Sequence, residues 1–372
     1  MNPEALDRLH DFLQDNKINA ALFSNPATVT WLTGYAPPIQ TGPSPFEGGP
    51  ALAWWQAGEV TLVLSDAEAA AGRLTETQVK DYLSYTIEEP LVGYHKQAAA
   101  LSSVLGEDNP LTGTVGVEMN SMPASLMPVL HDAFPRAALQ PIDGTLDSLR
   151  AVKTPEEISK VREALRLCDL AQYQVTKLAK PGMSEIELWG MLKSCLEVDA
   201  GMRLPILADL VAGARTAEIG GLPGTNQLKP GDAIIADIVP RLSGYWGDNC
   251  GTHFIGDPSQ KLMKIYQVVL AALRKGVEAV RPGMRACDLD TMLRDTIREQ
   301  GYPVYPHHSG HGLGVTFHEE PRLVPYNDLA LKPGMILAIE PGIYIPGVGG
   351  VRLEDVVLVT QDGCEVLTRH LL

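Results

Sequence analysis

Two apolar runs in this chain each carry one carboxylate at a place where a charge is costly. Ala233-Ile234-Ile235-Ala236-Asp237-Ile238-Val239 holds Asp237, and Met335-Ile336-Leu337-Ala338-Ile339-Glu340 holds Glu340. An ionised carboxylate among strand-forming apolar residues is unfavourable unless it is paired or metal-bound. A second acid follows each run: Asp248 in Tyr245-Trp246-Gly247-Asp248, and Glu354 in Val351-Arg352-Leu353-Glu354. Any one of these acids alone reads as a buried ion pair or a strand-edge acid. Four of them, with only Arg241 and Arg352 as basic residues in the two strand pairs, leave a charge that divalent cations neutralise most economically.

A donor of another type stands close by in sequence. Four of the nine histidines, His307, His308, His311 and His318, fall within twelve residues, in a segment reading His307-His308-Ser309-Gly310-His311-Gly312-Leu313-Gly314. Its glycines allow the backbone to approach a site closely. A lone histidine is usually structural or on the surface, whereas a cluster of four beside an acidic strand pair points to catalysis. Two Asp, two Glu and one His form a hard, mixed oxygen and nitrogen set suited to two adjacent Mn-, Co- or Zn-like ions.

An internal repeat must position these residues. Leu228-Lys229-Pro230-Gly231 recurs as Leu331-Lys332-Pro333-Gly334, offset by 103, and Pro181-Gly182-Met183 recurs as Pro282-Gly283-Met284, offset by 101. Leu188, Met191 and Leu192 recur at that second offset as Leu289, Met292 and Leu293. Asp237 and Glu340 each lie six residues past the last glycine of their Leu-Lys-Pro-Gly. Each half reads helix, Pro-Gly-Met turn, helix, then strand, turn, strand. The halves predict a pseudo-twofold domain with strands meeting in the middle and helices outside. A helix with apolar residues Ile158, Val161, Leu165 and Leu170 opens it, with Thr154, Pro155 and Glu157 arranged as a capping box.

Ahead of the repeat the pattern is plainer. A helix over 3–16 precedes a strand over 20–23, and runs at 51–55 and 60–64 turn at Ala57-Gly58. Pro and Gly cluster between Pro37 and Pro50, which predicts a loop, and 114–118 reads as another buried strand. The expected organisation is a small α/β domain over 1–135, a linker over 136–152 and an α+β catalytic domain over 153–372.

Composition narrows the function classes. With 45% apolar and 20% charged residues among 372, the chain can build a sizeable core. A net charge of −15 argues against nucleic acid as a partner. The five cysteines include no CxxC, which fits a reducing compartment rather than a disulfide framework. The N-terminus lacks the basic start and apolar run of a signal peptide, and no uncharged apolar stretch approaches the ~20 residues of a membrane span. No membrane partner and a cytoplasmic location are the expectation.

From about Leu149 onward the chain resembles the pita-bread metallopeptidases: prolidase, aminopeptidase P and, more distantly, methionine aminopeptidase. The resemblance rests on Gly310-His311-Gly312-Leu313-Gly314, Glu340-Pro341-Gly342-Ile343-Tyr344 and Val351-Arg352-Leu353-Glu354-Asp355. It also rests on the ligand order Asp, Asp, His, Glu, Glu, which falls on Asp237, Asp248, His311, Glu340 and Glu354. Asn25 to Tyr35 resembles the N-terminal domain of prolidases, creatinases and aminopeptidase P, which methionine aminopeptidases lack.

The resemblance implies two divalent ions per subunit, manganese first and cobalt or zinc as alternatives. Asp248 and Glu354 would bridge them, with Asp237 on one and His311 and Glu340 on the other. It also implies Glu340 as general base, His318 as the histidine that stabilises the tetrahedral intermediate, and His307 as a pocket histidine. Arg322 stands where prolidases place an arginine for the dipeptide carboxylate, and Arg352 is a second substrate-binding candidate. The implied activity is an Xaa-Pro dipeptidase; the alternatives are an Xaa-Pro aminopeptidase on longer peptides and a creatinase-like hydrolase of non-peptide C–N bonds. Creatinases lack the metal set, which argues against the last. Relatives with this N-terminal domain imply a homodimer, with the Pro37 to Pro50 loop near the partner's pocket. Two departures stand out: Gly251 where the family has an arginine, and Gly220 where it has a substrate-contacting histidine.

Overall fold

The computed structural model describes residues 3–39, 46, 48–71, 78–106 and 109–369. The chain divides into two compact units, Met1–Arg150 and Ala151–Leu372. Of the expected loop from Pro37 to Pro50, residues 40–45 and 47 lie outside the described residues.

The first unit is a six-stranded sheet with helices. Its strands are β1 (Ala20–Phe23), β2 (Leu52–Gln56), β3 (Glu59–Ser65), β4 (Gln78–Tyr82), β5 (Gly113–Val117) and β6 (Ala137–Pro141), in the order β4-β3-β2-β1-β5-β6. Its longer helices are α1 (Pro3–Asp15), α2 (Pro26–Thr33) and α3 (Gly93–Leu105). Ala57 and Gly58 both take positive φ at the β2–β3 hairpin, the geometry of a tight two-residue turn. The segment 136–152, expected as a linker, contains β6, which pairs in parallel with β5.

The second unit carries the repeat. Helix α4 (Pro155–Leu178) starts on the expected capping box: Thr154 Oγ1 accepts from Glu157 N at 3.2 Å, and Glu157 Oε2 accepts from Thr154 N at 2.9 Å. Then come α5 (Glu185–Ala200), β7 (Ile206–Ala212), β8 (Ala233–Leu242), β9 (Tyr245–Trp246) and β10 (Asn249–Phe254). The second half supplies α6 (Gln260–Ala279), α7 (Ala286–Glu299), β11 (Gly310–Gly312), β12 (Glu319–Leu323), β13 (Ile336–Ile339), β14 (Gly342–Ile345), β15 (Gly349–Arg352), β16 (Asp355–Val359) and β17 (Cys364–Val366). The strands form sheets ordered β10-β8-β7 and β12-β11-β13-β16-β17, with β14 paired to β15.

The two halves repeat each other down to single hydrogen bonds. Gly182 N donates to Leu228 O at 2.8 Å, and Gly283 N donates to Leu331 O at 2.9 Å. Leu228 N to Met183 O and Leu331 N to Met284 O are both 2.8 Å. Each Pro-Gly-Met is thus tied to its Leu-Lys-Pro-Gly, so every core strand of the repeat leaves its turn at the same height. That fixes the acids six residues on.

A seam joins the halves. Asn249 Nδ2 donates to Glu354 O at 2.8 Å, Glu354 N to Cys250 O at 3.0 Å, and Thr252 Oγ1 to Arg352 O at 2.8 Å. The strand pairs bearing Asp248 and Glu354 are therefore held side by side.

Candidate metal centre and active-site cavity

Five donors converge on that seam. Asp237 lies on β8, opposite Cys250 of β10 and Asp209 of β7, and Asp248 sits just before β10. His311 is the middle residue of β11, Glu340 follows β13 and Glu354 follows β15. One oxygen from each of Asp237, Asp248 and Glu354 lies within 4.8 Å of the others, and Asp248, His311 and His318 form a second such group. His311 Nε2 is 3.5 Å from Asp248 and 3.6 Å from Glu340. The structure thus brings together all five residues expected as ligands, and it also draws His318 within ligand distance.

The electrostatics fit divalent cations. Burial pushes the Asp248 and Glu354 carboxyls well above the usual carboxylate range, and the neighbouring acids push them further. Asp237 is raised by burial as well, against the pull of Arg352. Asp237 Oδ1 and Glu354 Oε1 are buried and have no hydrogen-bond partner among the described residues. A native protein rarely leaves such oxygens bare, and a cation is the partner their charge calls for. His311 presents the matching donor. Its Nδ1 lies 3.0 Å from Gly312 O, which can only accept, so Nδ1 carries the proton and the Nε2 lone pair faces the carboxylates. Burial holds His311 neutral, with a pKa of about 3.

Glu340 is the exception among the acids. Burial works against its charge, but the close approach of His308, with the other imidazoles around it, brings its pKa down to about 2. Burial lowers His307, His311 and His318, whereas His308, with Nδ1 3.1 Å from Glu340, is raised by that carboxylate against the effect of its own burial. The sequence placed His308 in the cluster without a role; its adjacency to the Glu340 carboxylate becomes visible only in three dimensions.

The histidine loop is fixed from behind. Asp290, buried on α7, accepts from Ser309 Oγ at 2.6 Å and from Arg294, whose guanidinium also donates to Tyr305 O and His307 O. Gly310, at φ +155, lies so close to β13 that a Cβ would stand 2.0 Å from Ala338 O. His307 Nδ1 donates to His308 O at 2.7 Å, leaving Nε2 to accept from Tyr344 OH at 2.9 Å. Burial keeps His307 neutral. The segment with His318 is set by Glu319, which accepts from Thr316 N and forms a buried ion pair with Lys153 at 2.8 Å.

The two arginine candidates separate. Arg352 is buried in the cluster, donating to Asp237 at 2.6 Å, Ile219 O at 2.5 Å and Tyr344 OH at 3.3 Å. Arg322 is 54% exposed, 3.9 Å from Glu320, and is not among the residues that line the cavity. Its charge still reaches His308 and His318.

The donors floor a cavity of about 610 Å³. One wall is apolar, with Ile186, Trp189, Ile206, Leu207, Leu222 and Phe317. The loop carrying Leu222 is clamped by Glu185, a fully buried acid that accepts from Ala212 N, Gly224 N, Asn226 and Arg215. Both departures from the family pattern have been filled. A Cβ at Gly251 would stand 2.5 Å from Gln172 Oε1, and a Cβ at Gly220 would stand 1.9 Å from Asp209 Oδ2. Sequence reading passed over Gln172 and Asp209; the two glycines were the signal, since a missing side chain in a packed site implies that another has moved in.

Comparison with known proteins gives the family. The model of metallopeptidase family M24 matches residues 159–361, and that of the creatinase/prolidase N-terminal domain matches residues 6–152. The chain belongs to metallopeptidase family M24. It is 30% identical to an Xaa-Pro dipeptidase of Pyrococcus furiosus, over 98% of both chains. It is 31% identical to an Xaa-Pro dipeptidase of Lactobacillus helveticus, over 98% of this chain and 96% of that one. The crystal structure of a prolidase from Pyrococcus horikoshii superposes with a TM-score of 0.84 at 26% identity, covering 99% of both chains. The family implies divalent metal ions, and the donor groups at the seam are candidate ligands for them. Among the described residues, no helix is long and apolar enough to cross a membrane.

Proposed function

We propose that this chain is an Xaa-Pro dipeptidase whose two divalent ions are held by Asp237, Asp248, His311, Glu340 and Glu354. The observation that carries this is the seam of buried acids, two with orphaned oxygens, flooring an apolar-walled cavity. Asp248 and Glu354 would be the ligands shared between the ions, with Asp237 on one and His311 and Glu340 on the other, as the family resemblance implies. Bound ions supply Lewis acidity and a water of lowered pKa. Glu340, whose carboxyl is held below the usual carboxylate range, would be the base that accepts the proton of the attacking water. His318, kept neutral by burial, offers a hydrogen bond to the oxyanion. His307 lines the cavity with its proton committed to His308 O, and Arg352 orients Asp237 and the substrate backbone. Arg322 would be the arginine that takes the proline carboxylate, a role that rests on the family resemblance alone. Manganese as native metal, a homodimer and a cytoplasmic location complete the reading, on the strength of the family resemblance.

One observation favours a second reading. Arg322 stands outside the cavity lining and Arg352 is already engaged by Asp237, which suits an Xaa-Pro aminopeptidase that needs no carboxylate capture. A product assay with an Xaa-Pro dipeptide and an Xaa-Pro-Xaa tripeptide, with Mn²⁺ and then chelator, separates the two. The dipeptidase cleaves the dipeptide faster, loses activity with chelator and regains it with Mn²⁺ or Co²⁺. Asp248→Asn and Glu354→Gln lose at least one ion by elemental analysis. Two bound ions and full activity in either variant would overturn the metal assignment.

A further inference from the structure

We infer that Asp209 makes this cavity selective for a cationic side chain on the residue before proline, an inference that rests on the peptidase reading above. Asp209 lies on β7 directly opposite Asp237, so both side chains project from the same face of the sheet toward the cavity. Its side chain is 40% exposed and lines the cavity. Among the described residues its carboxylate has one cationic neighbour, Arg352 Nη2 at 3.6 Å, while that same nitrogen is 2.6 Å from Asp237. Arg352 gives its other short contact to Ile219 O. Asp209 is therefore a weakly matched anion, half open to the space where substrate must lie.

Gly220 explains how the acid reaches this position. A Cβ there would lie 1.9 Å from Asp209 Oδ2 and 2.8 Å from Cγ, so a side chain at 220 and this placement of Asp209 exclude each other. Where the family pattern carries an imidazole, this chain carries a carboxylate delivered from the neighbouring strand. The wall changes from a neutral or cationic contact to an anionic one.

The surroundings select what the anion takes. Ile206 and Leu207 precede Asp209 on β7, and Ile186, Trp189 and Leu222 continue the apolar wall. An apolar stem ending in a positive head is the form of Lys and Arg, which bury their methylenes and keep the charge at a polar end. In an Xaa-Pro substrate the ammonium terminus, the scissile carbonyl and the proline ring are constant. The one side chain that varies is that of Xaa, so an unmatched anion beside an apolar strip acts on Xaa.

The test compares kcat/KM for Lys-Pro and norleucyl-Pro, which share a four-carbon stem and differ in the charged amine. Both are also supplied as Xaa-Pro-Ala tripeptides, with Mn²⁺-loaded wild type and Asp209→Asn. Wild type should prefer the lysyl substrate by roughly tenfold, the size of one charge-assisted contact discounted for partial exposure. Asp209→Asn should bring the ratio to about one, and rising salt should erode it in wild type. A wild-type ratio near one overturns the inference. So does an Asp209→Asn variant that loses both substrates equally, since the acid would then hold the common ammonium terminus or Arg352. If only the tripeptides are cut, the dipeptidase reading fails while the lysyl to norleucyl ratio still decides the role of Asp209.

Discussion

Gln172→Leu tests whether the metal strands are positioned from the helix behind them. Gln172, buried on α4, donates from Nε2 to Ala236 O and Asn249 O, both at 2.9 Å, and its Oε1 accepts from His253 Nε2 at 2.8 Å. Those carbonyls belong to the residue before Asp237 and the residue after Asp248. Leu matches the volume and supplies none of the three bonds. At about 1 kcal/mol net for each buried hydrogen bond the loss comes to about 3 kcal/mol. For a unit of this size, Tm should fall by roughly 6–12 °C. Because β8 and β10 lose their shared tether, Mn²⁺ affinity should weaken as well, and the stabilisation that Mn²⁺ gives should shrink with it. Thermal unfolding with and without Mn²⁺, together with calorimetric Mn²⁺ titration, reads both effects. A Tm drop under about 2 °C with unchanged Mn²⁺ affinity would refute the reasoning, because the carbonyls would then have other donors.

Two further outcomes follow from the same site. Arg322→Ala should lower dipeptide kcat/KM by about ten- to a hundredfold and tripeptide turnover far less, the value of one charge-assisted contact to a carboxylate; equal losses on both point to the aminopeptidase. The raised carboxyls of Asp248 and Glu354 set a pH dependence for the metal-free protein. Folded, these groups keep their protons above the pH at which their unfolded counterparts ionise, so stability is fully present below about pH 4 and declines as pH rises through the folded pKa values. Loading with metal should release protons, seen as buffer-dependent heats in calorimetry, and should remove that decline; a proton-neutral titration contradicts the shifts.

The acids were legible in the sequence because the repeat sets them. Asp237 and Glu340 sit at the same offset from matching turns, and the matching hydrogen bonds of those turns show why equal sequence spacing became equal spatial placement. His311 was legible from its flanking glycines, whose missing side chains allow β11 to press against its neighbours. What the sequence did not yield depends on contacts between distant residues. Gln172 meets carbonyls 64 and 77 positions away, Asp209 occupies space left by Gly220, and His308 meets Glu340 across a loop. Arg322 illustrates the converse: its place in a motif suggested a cavity residue, while the β12 strand leaves its guanidinium at the rim.

The seam between the halves has a consequence for assembly. Neither half owns a complete donor set: Asp237 and Asp248 belong to one, and His311, Glu340 and Glu354 to the other. A fragment ending in the turn before α6 would carry two aspartates facing nothing, and its complement would carry a histidine and two glutamates in the same condition. Co-produced, the fragments have a hydrogen-bonded seam to find each other by, through Asn249, Cys250 and Thr252 on one side and Arg352 and Glu354 on the other. An ion that needs ligands from both halves would act as a keystone, set only once the arch has closed. Metal loading would thus double as a proofreading step for folding, rewarding chains whose halves have met in register and leaving the others open to unfolding.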